Sequence, residues 1–293
     1  MARVESPPGS ARERRRPPGR ACVGLVALAI VLAACEHAAS ERSDAAGVAS
    51  AGCHAGSLPA VNGERHELDG RTYLLDAPAV PADRPLPLVL AFHGFRSNPA
   101  DLRGGTGLSE LARREGFIAV YPEGHDGVAL LGTTGRGWDL RPEQTRDRDF
   151  VRALLDRLEG ERCIDRARIF ATGMSNGGFF SSLLGCQLAD RLTAVAPVAG
   201  ALDLGDCRAA RPVPILLMYG SRDHIVSPEM VDGAVAWWAE HNGCHASAPS
   251  DGCTRWSGCV ADVVVCKGGQ GHMWPIDATD RIWRFFVSRS SAH

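Results

Sequence analysis

Hydrophobic and polar positions alternate along most of this chain in a pattern that predicts strands and helices in turn. Continuous apolar runs, typical of strands buried on both faces, are separated by stretches with the three-to-four-residue spacing of amphipathic helices. The runs are RTYLLDAP, LPLVLAFHG, FIAVYPEG, RIFATG, LTAVAPVAG, VPILLMYG and DVVVCKGG, and the predicted helices lie near residues 101–115, 147–159, 176–189, 228–241 and 278–288. This order predicts the α/β class, with a mostly parallel central sheet and helices on both faces.

The first 60 residues do not follow this alternation. A basic arm precedes the apolar run ACVGLVALAIVLAAC, which is too short to span a bilayer comfortably and is typical of a signal peptide. The run ends in LAAC, which resembles the lipobox of bacterial lipoproteins and implies cleavage before Cys35 and lipidation of its thiol. An ordinary secretory signal is the alternative. We therefore predict a signal peptide over residues 1–35, a flexible Ala/Ser/Gly-rich linker over 36–60, and a single folded domain over 61–293.

The charge balance argues against a nucleic-acid partner. Residues 1–20 contain six Arg and two Glu, while the whole chain has a formal net charge of −2, so the body after the arm is mildly acidic. Proteins that bind nucleic acid generally present a basic surface. We expect no nucleic-acid partner, and contact with a membrane only through a lipid on Cys35.

The number of cysteines is consistent with export from the cytoplasm. Eight follow Cys35, and an even number in an exported chain favours disulfides. None of them forms a CxxC pair, so we predict no metal site. The connectivity of eight cysteines cannot be deduced from their spacing alone. We favour only the pair Cys244–Cys259, because these two residues bracket one polar loop.

Ser175 lies in the pentapeptide GMSNG, between a strand-like run and a helix-like run. The pattern G-x-S-x-G in this context is typical of a nucleophilic serine on a sharp strand-to-helix turn. Gly173 and Gly177 would leave room for the backbones that meet there. The alternative is that Ser175 only caps the N-terminus of the following helix.

A serine nucleophile needs a base and an acid that orients the base. Asp223 follows the apolar run VPILLMYG, and His272 follows DVVVCKGG in a glycine-rich loop. Both come at the carboxyl ends of predicted parallel strands, where catalytic groups of such sheets collect. The order Ser175, Asp223, His272 predicts a catalytic triad. The alternatives are a turn or helix-cap role for Asp223 and an ordinary surface position for His272.

Two backbone N–H groups are candidates for an oxyanion hole. One is that of Asn176, the residue after the predicted nucleophile. The other is that of Phe95, because His93-Gly94 allows a tight turn after an early strand. We expect the His93 side chain itself to be structural and hydrogen-bonded to the backbone.

The segments HGF, GMSNGG, AVAPVAG, YGSRD and GGQGHMWP together resemble the secreted polyhydroxybutyrate depolymerase-like and feruloyl esterase family of α/β-hydrolases. The resemblance covers roughly residues 65–288. It implies an α/β-hydrolase fold and carboxylic-ester hydrolysis by Ser175, His272 and Asp223. It also implies that Trp138 and Trp274 lie near the ester as substrate-binding aromatics.

Two features depart from the family. Members that attack solid polyester usually carry an added substrate-adsorbing domain, for which we find no segment, and the loop over residues 124–147 is predicted to be irregular. Both leave the natural ester open.

The resulting hypothesis is an extracytoplasmic serine esterase, secreted or lipid-anchored to the bacterial cell envelope. We expect it to act as a monomer on a small-molecule or oligomeric ester, without metal or organic cofactor. A serine peptidase of the same fold and a non-catalytic binding lipoprotein are the alternatives.

Overall fold

The computed structural model describes residues 49–130, 132–141, 143–201, 204–205 and 207–289. Within them the helices are α1 (Pro99–Thr106), α2 (Leu108–Glu115), α3 (Arg146–Glu161), α4 (Asn176–Gln187), α5 (Pro228–His241) and α6 (Ala278–Val287). The strands are β1 (Ser57–Leu58), β2 (Val61–Leu68), β3 (Arg71–Ala77), β4 (Val80–Pro81), β5 (Leu86–Phe92), β6 (Ile118–Pro122), β7 (His125–Leu130), β8 (Thr133–Gly137), β9 (Ile164–Met174), β10 (Ala194–Val198), β11 (Ile215–Gly220), β12 (Ala246–Ser250), β13 (Cys253–Ser257) and β14 (Val263–Gly268).

Ten of these strands form one sheet in the order β12-β13-β14-β11-β10-β9-β5-β6-β3-β2. The six central strands, from β14 to β6, are mutually parallel, and the two strands at each edge run antiparallel. Every residue of β5, β6, β10 and β11 is buried. This burial follows from their continuous apolar sequences, and it confirms the predicted α/β class with a mostly parallel sheet.

Helices cover both faces of the sheet and enclose two hydrophobic clusters. Along β5, Leu88 and Leu90 belong to the cluster that α3, α4 and α5 cover, whereas Val89 and Ala91 belong to the cluster under α1, α2 and α6. Successive residues of a strand point to opposite faces, so each central strand contributes apolar side chains to both clusters. The predicted single domain with helices on both faces is thus confirmed.

Two local predictions differ from the structure. The helix expected over 101–115 is two helices, because Gly107 between them adopts a left-handed conformation with φ of 68°. The loop expected to be irregular over 124–147 contains an antiparallel hairpin, β7–β8, outside the main sheet. Its sequence is glycine-rich and half-exposed, so it lacks the apolar run that predicts a strand.

The flexible linker does not extend to residue 60. Ser50 Oγ donates to the Arg162 carbonyl at 2.6 Å and accepts from the Ile164 N–H at 2.8 Å, and Cys53 forms a disulfide with Cys163. These contacts join residues distant in sequence, which is why composition alone placed the boundary too late. Residues 1–48, with the predicted signal peptide and Cys35, lie outside the described residues.

All eight cysteines after Cys35 are paired. The bonds are Cys53–Cys163, Cys186–Cys207, Cys244–Cys259 and Cys253–Cys266. The predicted pair Cys244–Cys259 is confirmed, and it closes the β12–β13 hairpin. No helix in the described part of the chain combines the length and apolar character needed to cross a bilayer.

We expect a Cys53→Ser, Cys163→Ser double variant to unfold at lower denaturant concentration. The bond links residues 110 positions apart, and opening so long a loop typically costs about 3–5 kcal/mol of unfolding free energy. Urea denaturation of the folded, oxidised proteins measures this difference. The matched control is Cys244→Ser, Cys259→Ser, which opens a loop whose ends are only 15 positions apart. It should lose less unfolding free energy. An equal or larger loss in that control would contradict the loop-length argument.

Candidate active site

Ser175 occupies a strained turn between β9 and α4. Its φ of 56° and ψ of −121° are rare for a residue with a side chain. The Ser175 N–H donates to the Val198 carbonyl at 2.9 Å, and its own carbonyl accepts from the Phe179 N–H at 2.9 Å. The side chain makes no capping hydrogen bond to the helix, so the helix-cap alternative does not hold. The turn instead places Ser175 directly after the carboxyl end of β9, at the edge of the sheet.

Glycines next to Ser175 are required by close backbone approach. A Cβ atom on Gly177 would lie 2.0 Å from the Phe92 carbonyl oxygen, and one on Gly173 would lie 2.4 Å from the Gly177 carbonyl oxygen. Both distances are well inside van der Waals contact. The G-x-S-x-G spacing is therefore a packing requirement of this turn.

Asp223 and His272 are hydrogen-bonded to each other. Asp223 follows β11 and His272 follows β14, and the distance between Asp223 Oδ2 and His272 Nδ1 is 2.8 Å. The other carboxylate oxygen, Oδ1, accepts from the N–H groups of Ile225 and Val226, each at 2.9 Å. Asp223 thus also organises its own turn, as the alternative supposed, while holding the imidazole.

The Asp223 carboxylate is stabilised in its charged form. Burial by itself would raise its pKa, but the hydrogen bonds from Val226, His272 and Ile225 outweigh burial, and the pKa is lowered from its ordinary value. An ionised Asp223 is an acceptor only, so the His272 Nδ1 must donate to it. The Nε2 atom of the imidazole is then left as the free, basic nitrogen.

We expect Asp223 to make stability depend on pH in the acid range. A carboxyl whose pKa is lowered by folding stabilises the fold fully above its unfolded pKa of about 3.9, and this contribution is lost as the pH falls through the lower folded value. The difference in unfolding free energy between wild type and Asp223→Asn should therefore shrink below about pH 4. Denaturant titrations from pH 2.5 to pH 6 measure it. A difference that grows on acidification would contradict the lowered pKa.

The three predicted catalytic residues follow strands that end at one edge of the sheet. Strands β9, β10, β11 and β14 are consecutive parallel neighbours, and Ser175, Asp223 and His272 follow the carboxyl ends of three of them. Among the described residues, Ser175 Oγ has no hydrogen bond to the imidazole. Catalytic hydrogen bonds of this kind are often long in the free enzyme and shorten with substrate bound.

The backbone of the loop after β5 lies beside Ser175. A Cβ atom on Gly94 would be 3.5 Å from the Ser175 Cβ. Across the residues that the structure describes, the N–H groups of Phe95 and Asn176 donate no hydrogen bond. Both predicted oxyanion donors are therefore free to bind an acceptor next to the hydroxyl.

His93 is a structural residue. Its Nδ1 donates to the Gly94 carbonyl at 2.8 Å, and its Nε2 accepts from the Gly124 N–H at 2.9 Å. The side chain is fully buried, and burial lowers the pKa of His93 below its ordinary value. It is thus a neutral imidazole that holds the loop carrying Phe95.

The sequence profile of the family described as "Esterase PHB depolymerase" matches residues 71–246, more than half of the chain. The chain belongs to this esterase family. Its solved structural relatives include the acetyl xylan esterase from Aspergillus awamori, with a TM-score of 0.57 and 15% identity over 79% of this chain and 99% of that one. At such identity the likeness shows the fold alone, and that fold is the α/β-hydrolase fold.

Several named esterases are similar to this chain in sequence. "Feruloyl esterase C" of Emericella nidulans is 28% identical over 83% of this chain and 92% of its own length. "Feruloyl esterase B" of Piromyces equi is 30% identical over 65% of this chain, and "Bifunctional acetylxylan esterase/xylanase XynS20E" of Neocallimastix patriciarum is 29% identical over 68%. The chain spans only 40% and 30% of the length of these last two relatives.

The two aromatics predicted to touch substrate lie in different surroundings. Trp138 is fully buried between Phe92 and Phe180, and it also borders a cavity beside Asn176, so its substrate contact stays a prediction. Trp274 is half-buried, and its Nε1 donates to Thr279 Oγ1 at 2.9 Å. Its substrate contact stays a prediction.

Sequence reasoning missed the role of the Asn176 side chain. This side chain is fully buried, and its carboxamide both accepts from and donates to the backbone of Trp138. The only signal in the sequence is a polar amide in the first turn of an otherwise apolar helix, which must find a partner if it is buried. Asn176 and Trp138 also line a cavity of about 250 Å³, together with residues 127–130 of β7 and residues 139–141.

Proposed function

We propose that this chain is a serine hydrolase of carboxylic esters, with Ser175 as nucleophile, His272 as general base and Asp223 as the residue that orients the base. One observation carries the proposal. The 2.8 Å bond between Asp223 and His272 belongs to the sheet edge from which the strained turn projects Ser175. Membership in an esterase family supports the same reaction.

In the proposed reaction, Ser175 Oγ attacks the ester carbonyl carbon while its proton moves to His272 Nε2. The carbonyl π electrons move onto oxygen and form a tetrahedral oxyanion. When the C–O bond to the alcohol breaks, the leaving oxygen takes the proton from His272, and an acyl group remains on Ser175. Water then attacks this acyl-enzyme by the same steps, and the acid is released.

The oxyanion would be bound by the N–H groups of Phe95 and Asn176. Both are free of other acceptors within the described part of the chain, and the loop that carries Phe95 lies against Ser175. A donor of this kind typically contributes about 3 kcal/mol to the transition state. The Asp223 carboxylate would stabilise the imidazolium that forms when His272 is protonated.

We propose short-chain or aromatic esters as the substrates, in small molecules or oligomers. Two similar proteins are named for feruloyl esters and one for acetylxylan, which supports this range. The cavity of about 250 Å³ beside Asn176 is large enough for a compact acyl or alcohol group. We propose that the hairpin residues around it determine which group is accepted.

A substrate panel with an active-site probe tests the proposal. The purified mature protein is given acetyl, feruloyl and hydroxybutyrate-oligomer esters and a peptide amide with a matched acyl group, and is separately exposed to a fluorophosphonate. Ester turnover with labelling of Ser175 is expected. Cleavage of the amide at a rate equal to the ester would favour the peptidase. Neither turnover nor labelling would favour the binding lipoprotein.

We further propose that the domain acts as a monomer outside the cytoplasm, attached to the envelope through a lipid on Cys35. The four disulfides support an oxidising compartment. A Cys35→Ser variant should move from the membrane fraction to the soluble exported fraction, while Ser175→Ala should stay with the membrane. An unchanged distribution of the Cys35 variant would refute lipid anchoring.

A further inference from the structure

Trp138 is hydrogen-bonded to both segments that carry the predicted oxyanion donors. Its indole Nε1 donates to the carbonyl of His93 at 3.0 Å, two residues before Phe95. Its backbone N–H donates to Asn176 Oδ1 at 2.7 Å, and its backbone carbonyl accepts from Asn176 Nδ2 at 3.0 Å. One residue therefore links the loop after β5 to the first residue of α4.

The position of Trp138 is itself determined by packing. The indole stacks on Phe180 with ring centroids 4.8 Å apart, and it meets Phe92 edge-on at 5.0 Å. Phe92 ends β5 and Phe180 belongs to α4, so the ring lies between the two elements that it connects. A fully buried ring in such contacts has little freedom to move.

The segment before Trp138 adds to this link. The Arg96 N–H donates to the Arg136 carbonyl at 2.7 Å, and the Arg96 guanidinium donates to the Thr134 carbonyl at 3.0 Å. A Cβ atom on Gly137 would lie 2.6 Å from Asn176 Oδ1. The end of β8 is thus in contact with the oxyanion loop on one side and with Asn176 on the other.

We propose that Trp138 and the Asn176 carboxamide are positioning residues, which together set the separation of the Phe95 and Asn176 N–H groups. We call this pair of side chains the Trp138 tie. The inference rests on the proposed function, since it concerns donors for the oxyanion of that reaction. In this proposal the tie acts on the oxyanion through the backbone of the two donor segments, although both of its residues also border the cavity proposed for the substrate.

The physical reason is the steep dependence of oxyanion stabilisation on donor geometry. Both donors must lie about 3 Å from a single oxygen that exists only in the transition state. Phe95 and Asn176 are 81 positions apart in sequence, so non-covalent contacts between their segments set the separation of the two N–H groups. Misplacement by about 1 Å can cost about 10²-fold in rate. A rigid link between the segments prevents such shifts.

Two substitutions test the tie. Trp138→Phe keeps an aromatic ring between Phe92 and Phe180 but removes the bond to His93. Asn176→Ala removes both bonds to the Trp138 backbone while leaving the Asn176 N–H in place. We expect kcat to fall about tenfold in the first and about a hundredfold in the second, with KM within about threefold of wild type.

The chain offers matched controls for both. Trp238 is fully buried and donates from Nε1 to Ser182 Oγ at 3.1 Å, and Asn242 is fully buried and donates from Nδ2 to the Val213 carbonyl at 2.9 Å. Neither is bonded to the loop after β5 or to the first turn of α4. Trp238→Phe and Asn242→Ala should lower the melting temperature as the test variants do, but leave kcat within about twofold of wild type.

The inhibition constant of an aryl boronic acid tests positioning separately from stability. If Trp138 and Asn176 served only to stabilise the fold, their substitution would leave this constant unchanged. The boronic acid forms a tetrahedral adduct on the serine and places an oxygen where the oxyanion develops. Its inhibition constant should rise in each test variant by the factor by which kcat/KM falls. If Asn176→Ala does not fold, the isosteric Asn176→Asp, which cannot donate to the Trp138 carbonyl, takes its place with a loss of about tenfold or more.

The outcomes separate this inference from the proposed function. If the wild type is active and the test variants are no slower than their controls, the tie is overturned and the proposed function stands. The same holds if the test variants change only in KM. A wild type that neither hydrolyses esters nor reacts with a fluorophosphonate would overturn the proposed function and the tie with it. Losses in kcat and boronic-acid affinity in the test variants, absent from the controls, would establish the tie.

Discussion

A Ser175→Ala variant is expected to lose ester hydrolysis almost completely, with kcat lower by about 10⁶-fold. The strained turn presents one hydroxyl at the sheet edge, and alanine fits the same turn without it. The imidazole and the proposed oxyanion donors would remain, so a residual rate about 10³–10⁴-fold above that in water is expected. Steady-state kinetics with p-nitrophenyl acetate, together with fluorophosphonate labelling, measures the loss.

Ser181→Ala is the matched control. Ser181 is a fully buried serine on the same helix, α4, and within the described residues its hydroxyl donates to the Gly178 carbonyl. Its removal should leave kcat within about threefold of wild type, at some cost in stability. Ser175→Ala retaining the wild-type rate would contradict the assignment of the nucleophile, even if the control behaved as expected.

An Asp223→Asn variant is expected to lower kcat by about 10⁴-fold with little change in KM. Asp223 Oδ1 accepts from the Ile225 and Val226 N–H groups, so the carbonyl oxygen of the asparagine will take that place. Its NH₂ group then faces His272 Nδ1, where the carboxylate oxygen was. The imidazole must accept there and carry its proton on Nε2, and in that tautomer it cannot take the proton of Ser175.

The measurement is kcat/KM across pH 5–9, with circular dichroism to establish folding. Asp277→Asn serves as the control, because Asp277 is an exposed carboxylate close in sequence to His272 whose ion pair is with Arg281. It should change kcat by less than about twofold. If the two variants lower kcat equally, the loss comes from removing a negative charge near His272. Control of the His272 tautomer by Asp223 would then be contradicted.

The positions of Ser175, Asp223 and His272 were predictable because each depends on local sequence. Each follows an apolar run that could only be a buried strand, and the carboxyl ends of parallel strands share one edge. The order of the strands within the sheet was not needed for this conclusion. The hydrogen bond between Asp223 and His272 then follows from β11 and β14 being neighbours, which the sequence did not indicate.

Trp138 shows why other features could not be predicted in this way. Its place in the sequence, in a glycine-rich stretch rich in turn residues, is typical of an exposed loop. Whether its ring faces solvent or the interior depends on the β7–β8 hairpin folding back against Phe92 and Phe180. The same dependence on distant partners applies to Cys53. Its bond to Cys163 makes it part of the folded domain, which therefore begins before the predicted residue 61.

The sequence by itself determined the fold class, the strained serine turn and the sheet edge where the polar residues gather. These features follow from apolar periodicity and from glycines that no other residue can replace, which are properties of short segments. Only the tertiary structure decided that Asn176 bonds to Trp138, that Trp138 bonds to His93, and that this chain of contacts joins the two oxyanion segments. Such contacts depend on how separate elements pack, and packing is decided by the whole core at once.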